Sequence, residues 1–93
     1  MKYRYFLSAL ECDRFYSNFM KACDLGIEHV GIPIEISFVT DKKPTEANKN
    51  MIEKILEETI ENKKLDRYYT QVKFLRAEVV MEEWYYEILW RRI

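Results

Sequence analysis

The chain has 93 residues, 48% of them hydrophobic and 33% charged, with a formal net charge of −1 at pH 7. That balance excludes a disordered chain, and a charge so near zero speaks against both a strongly basic nucleic-acid binder and an acidic mimic of DNA. Such a length predicts one domain, 1–93, burying about 60–65% of its unfolded surface, and two glycines and two prolines leave room for regular elements joined by short turns.

The N-terminal "MKYRYFLSALECD" carries a short apolar run without a signal-peptide core or cleavage site, and no stretch approaches the roughly 18 apolar residues of a membrane span. The expectation is a soluble, cytoplasmic protein without a membrane partner. Within that segment "KYRYFL" alternates, with Tyr3, Tyr5 and Leu7 on one side and Lys2, Arg4 and Phe6 on the other, which predicts a strand. Ser8, followed three residues later by Glu11, fits a capping box. Behind it Cys12, Phe15, Tyr16, Phe19, Met20 and Cys23 fall at helical spacing, so a helix is predicted from about Ala9 to Leu25, with Gly26 as its left-handed stop.

"GIPIEISFVT" predicts a second strand, with Ile32, Ile34, Ile36 and Phe38 alternating against Pro33, Glu35, Ser37 and Val39. Pro33 lacks an N–H and belongs at the strand's first residues or on an edge. "DKKP" is a turn, and Thr45 caps a second helix with Glu46 in its first turn. Ala47, Met51, Ile52, Ile55, Leu56 and Thr59 form that helix's apolar face, Glu46, Glu53, Glu57 and Glu61 the opposite one, and Asn62, Lys63 and Lys64 its end.

From Asp66 onward β-branched and aromatic residues dominate, which predicts a hairpin with strands near 68–76 and 83–92. The turn between them contains no Gly, Asn or Pro. A long helix competes, because Phe74, Ala77, Met81, Trp84 and Ile88 repeat at steps of three and four residues. With the hairpin the order is β-α-β-α-β-β. That is a small two-layer α/β sandwich of the α+β type, in which two helices cover one face of a mixed four-stranded sheet and a right-handed crossover sets the first two strands parallel.

Chemistry is sparse. Cys23, the lone His29 and Asp24 could be drawn as a nucleophile, base and orienting group, but a thiol on an apolar helix stripe stays protonated and behaves as a small hydrophobe. Cys12 and Cys23 would stand about 16 Å apart along one helix, at ~1.5 Å per residue, too far to share a zinc or a disulfide. No glycine-rich phosphate loop occurs. The expectation is therefore no catalytic residue, no metal and no cofactor, with the acidic stripe of the second helix a solvated face.

The closing stretch "EEWYYEILWRRI" is the most informative. Trp84, Tyr86, Ile88 and Trp90 fill one alternate set, while Tyr85 and Leu89 interrupt the other, and a strand apolar on both sides needs cover on both sides. Trp, Tyr and Arg are also the residues enriched at binding hot spots. Trp84, Tyr86, Trp90, Arg91 and Arg92 are the candidate partner-binding set, for a larger host protein or complex, or for a second copy in a homodimer. The alternatives are plain core and a modest single-stranded nucleic-acid surface of Tyr68, Tyr69, Trp90, Arg91 and Arg92, which the net charge disfavours. In size and style the chain resembles small accessory proteins of viruses and mobile elements, among them inhibitors of host defence complexes such as anti-CRISPR proteins. The resemblance rests on no motif and transfers no site residues. It implies a non-enzymatic protein-binding inhibitor.

Overall fold

The computed structural model describes residues 3–62 and 68–92. The elements run β1 (Tyr3–Ala9), α1 (Arg14–Glu28), β2 (Ile34–Val39), α2 (Glu46–Asn62), β3 (Tyr68–Glu78) and β4 (Glu83–Arg92). The strands form one mixed sheet in the order β1-β2-β4-β3. β1 and β2 are parallel, and β4 is antiparallel to both of its neighbours. Two helices and a four-stranded mixed sheet make the α+β globule that the sequence predicts. The competing C-terminal helix is replaced by the hairpin.

The first helix starts later than expected. Ser8 and Glu11 form no capping box; Ser8 lies inside β1 with φ 107°, beside a register shift between Phe6 and Ala9. The strand continues because Ala9 still pairs with Val39, and the Leu10 N–H donates to the Val39 carbonyl at 2.8 Å. Four residues then turn the chain into α1, whose entry residue Asp13 makes no side-chain cap. Asn18 ties the helix back by donating to the Leu7 carbonyl at 2.8 Å. The buried stripe is Phe15, Phe19, Ala22, Cys23 and Gly26, while Cys12, ahead of the helix, and Tyr16 are exposed.

Gly26 does not stop α1. The helix runs on to Glu28, and the left-handed glycine is Gly31, at φ 86°. Gly26 is small for a different reason: a Cβ there would stand 2.2 Å from the Trp90 ring. Pro33 lies just ahead of β2, so its missing N–H costs no ladder bond in that central strand.

Thr45 caps α2 as expected, its Oγ1 accepting from the Asn48 N–H at 3.2 Å. The stripe that α2 buries is Ile52, Leu56 and Ile60, whereas Ala47 and Met51 from the expected apolar face are exposed. Lys63 and Lys64 lie outside the described residues.

In the hairpin a register shift between Phe74 and Arg76 places Phe74 opposite Tyr86 and Ala77 opposite Trp84. The extra residue lets two positions three apart point to the same face. That bulge is the source of the three-residue step from Phe74 to Ala77, whereas Met81 lies in the exposed turn and the step from Trp84 to Ile88 is ordinary strand alternation. The Glu78–Glu83 pair closes the ladder, leaving Val79 to Glu82 as the turn.

Both helices cover the face that bears Leu7, Ile34, Ile36, Phe38, Trp84, Tyr86, Ile88 and Trp90, which with the helix stripes form one core cluster. Phe15 of α1 meets Phe38 edge-on at 5.5 Å, and the Tyr86 hydroxyl donates to the Lys49 carbonyl of α2 at 3.0 Å. Among the described residues no helix covers the other face.

Candidate interaction surface

The expected partner-binding set divides. Trp84, Tyr86 and Trp90 have 2%, 0% and 0% of their surface exposed. They are core, not a contact face, because β4 is a central strand and their side of it is the one the helices cover. Trp84 meets Phe38 and Phe74, Tyr86 meets the same two rings, and Trp90 lies against Gly26. The buried Trp90 indole N–H finds no acceptor among the described residues. Burial, and to a lesser degree the charge of Glu53, raises the Tyr86 phenol well above its ordinary pKa.

Arg91 and Arg92 are exposed at the end of β4, opposite Tyr69 and Tyr68 respectively. Tyr68 packs against the core, whereas Tyr69 is 57% exposed. The nucleic-acid set therefore loses Trp90, which is too deep to stack on a base, and keeps the Tyr69–Arg91 pair.

The uncovered face is built differently. One cross-strand row runs Arg4, Glu35, Glu87, Lys73 through all four strands. Glu35 is only 3% exposed although no helix among the described residues covers it. Arg4 Nε lies 2.9 Å from one of its carboxylate oxygens and Arg76 Nη1 3.3 Å from the other. To reach Glu35 from β3, the Arg76 guanidinium lies across the Tyr85 ring at 3.8 Å. Arginine carries an apolar stem and a planar head that stacks on aromatic rings, so Arg4 and Arg76 act as cover for the second face of the sheet. The second cover that the sequence of β4 calls for thus comes in part from the chain's own arginines. Phe6, at 54% exposure, and Tyr69 stay outside it.

Comparison with protein-family models, curated proteins and solved structures finds no match. The surface is read on its own chemistry. Cys23 is fully buried, and the His29 ring is stacked on Tyr3 at 4.4 Å. Among the described residues no group of three or more His, Cys, Asp or Glu side chains is placed to hold a metal ion, and no helix is long and apolar enough to cross a membrane.

Sequence reasoning missed the hairpin turn as a surface feature. Val79, Val80 and Met81 are all strongly exposed, Val80 at 96%. The signal was present in the turn that lacked every usual turn residue.

Proposed function

We propose that the chain is a non-enzymatic protein-binding module, acting in the cytoplasm as a small inhibitor encoded by a virus or mobile element, which works by covering a surface on a larger host protein. The observation that carries this reading is the uncovered sheet face. Its centre is a pre-formed set of ion pairs around Glu35, and its margins expose Phe6, Tyr69 and Arg91. A rigid sheet with aromatic and arginine anchors around a satisfied polar centre suits a protein surface of mixed character, in which acidic groups meet the Arg91 end. Phe6 and Tyr69 replace Trp84, Tyr86 and Trp90 as the aromatic anchors of this reading.

The test is capture from host lysate by the tagged chain, with and without nuclease, alongside a Phe6→Asp/Tyr69→Asp variant whose fold is checked by circular dichroism. A stoichiometric protein that survives nuclease and is lost by the variant supports the reading. Capture unaffected by the variant overturns the assignment of the face. A nuclease-sensitive yield favours the second reading, a modest single-stranded nucleic-acid binder, for which the cross-strand Tyr69–Arg91 pair is the specific observation. Binding of that kind weakens steeply with salt.

A further inference from the structure

Among the described residues β1 and β3 are the edges of the sheet, each with no strand on its outer side. An open edge presents a row of backbone N–H and C=O groups, and the group that satisfies such a row is another strand. β3 is guarded against this. Its bulge between Phe74 and Arg76 interrupts the ladder, and Lys73 stands exposed beside the bulge. β1 is regular from Tyr3 to Phe6, and its register shift comes only after Phe6. Beside that regular stretch, on the helix side of the sheet, runs an open groove of about 300 Å³ lined by Tyr5, Lys21, Asp24, Leu25 and Glu28. The four α1 residues fall at i, i+3, i+4 and i+7, so they form one stripe, next to the stripe that α1 buries. One edge of the molecule thus offers a strand and a helix stripe side by side.

We propose that this edge joins two copies of the chain about a two-fold axis standing perpendicular to the sheet at Tyr5. α1 connects two parallel strands, so it runs back antiparallel to β1. A single axis therefore sets β1 antiparallel to β1 of the other copy and α1 antiparallel to its counterpart, and two four-stranded sheets become one of eight. In the strand ladder Tyr5 pairs with its own copy and Arg4 pairs with Phe6, which gives the exposed Phe6 ring an arginine neighbour on the outer side. In the helix pair the axis passes between Asp24 and Leu25, the middle of the stripe beside Tyr5. Lys21 and Glu28 lie at the two ends of that stripe, roughly 10 Å apart along the helix. The axis places Lys21 of each copy opposite Glu28 of the other. Opposite charges at the two ends of a stripe are complementary when the stripe meets its own reverse, and this selects a second copy as the occupant of the edge. Leu25 meets its own copy near the axis. Asp24 leaves each stripe with one negative charge in excess, a cost that keeps the contact weak. A contact in which a patch pairs with its own copy is isologous and closes at two subunits.

This inference specifies the homodimer, and its variants alter α1 alone, away from the outer face assigned to host capture. The experiment is sedimentation equilibrium at low and high salt of the purified chain, of Lys21→Glu, of Glu28→Lys and of an equimolar mixture of the two variants. Urea midpoints show that each variant is folded, and hydrogen exchange of the β1 amides is followed at low and high protein concentration. The expected result is a reversible monomer–dimer equilibrium in which the β1 amides exchange more slowly in the dimer. Each variant alone sets like charges across the axis and raises the Kd by about tenfold at low salt. The mixture pairs the two variants with each other, because each carries the charge the other has lost, and its Kd returns to within about threefold of the wild-type value. The differences shrink as salt rises. A wild-type chain that stays monomeric up to sub-millimolar concentration overturns the inference. So does a mixture that associates no better than its components, or a dimer whose β1 amides exchange as fast as those of the monomer. A monomer that still captures a host protein overturns this contact alone. A dimer that captures nothing overturns the sheet-face reading alone.

Discussion

Gly26 is where the fold leaves least room. The Trp90 ring occupies the space a Cβ would need, at 2.2, 2.3 and 2.9 Å from three ring carbons. Gly26 is also a helical residue with ordinary helical neighbours, where alanine would otherwise be the better helix former by about 1 kcal/mol. The two effects have opposite sign, and the contact wins, because a ring inside a packed core cannot give way by an ångström without displacing its own neighbours. Gly26→Ala is expected to destabilise the protein by about 1–3 kcal/mol, the range for over-packing a well-filled site. Urea denaturation reads it directly. An unchanged or raised midpoint would mean that Trp90 has a second place to go. The same contact explains why the aromatic C-terminus reads as a binding set in sequence. Composition reports that Trp84, Tyr86 and Trp90 are large and amphipathic, but only the position of β4 between β2 and β3 decides that their side is the covered one.

At the scale of elements, α2 and β4 were legible because each keeps one period over ten or more residues, and β3 because its alternation holds on either side of the bulge. The boundaries that failed did so where a local signal was overruled by pairing. Ser8 and Glu11 have the spacing of a cap, yet the ladder to β2 holds Ala9 extended, and the chain takes the irregularity as a positive φ at Ser8 instead. The hairpin turn shows the same conflict. Glu82 sits at φ 52°, a left-handed conformation that costs a residue with a Cβ roughly 1–2 kcal/mol. Glycine would remove that cost, set against its own entropy loss of roughly 0.5–1 kcal/mol. Glu82→Gly is thus expected to stabilise the hairpin by up to about 1 kcal/mol, with the Thr40-to-Glu82 backbone bond retained because it uses only the carbonyl. A rise in the urea midpoint at constant slope is the readout. A fall would show that the side chain, not the backbone, governs this turn.

At the scale of the whole molecule, the sheet is held from both sides by different means. The helices bury its inner face, and on the outer face a single carboxylate on β2 gathers arginines from β1 and β3, the two edge strands. Glu35 is nearly inaccessible, so leaving its charge without a partner is costly, about 3–5 kcal/mol for a fully buried pair. The individual pairs are worth less. Arg4 is 75% exposed and Arg76 about half exposed, and pairs with one arm in water contribute roughly 0–1 kcal/mol. Either arginine alone still satisfies the carboxylate, so Arg4→Met and Arg76→Met are each expected to cost no more than about 1 kcal/mol, methionine keeping most of the apolar cover. The double variant removes both cations. Its cost should exceed the sum of the single costs by about 1 kcal/mol or more, a coupling of the size seen within one ion-pair network. Adding Glu35→Gln to the double variant should recover part of the loss, since an amide left without a charged partner is less costly to bury than a carboxylate. Urea titrations of the four variants beside the wild-type chain decide the matter. Additive single costs would mean that Glu35 is hydrated through gaps between the arginines, and that the outer face is held by stem packing rather than by charge.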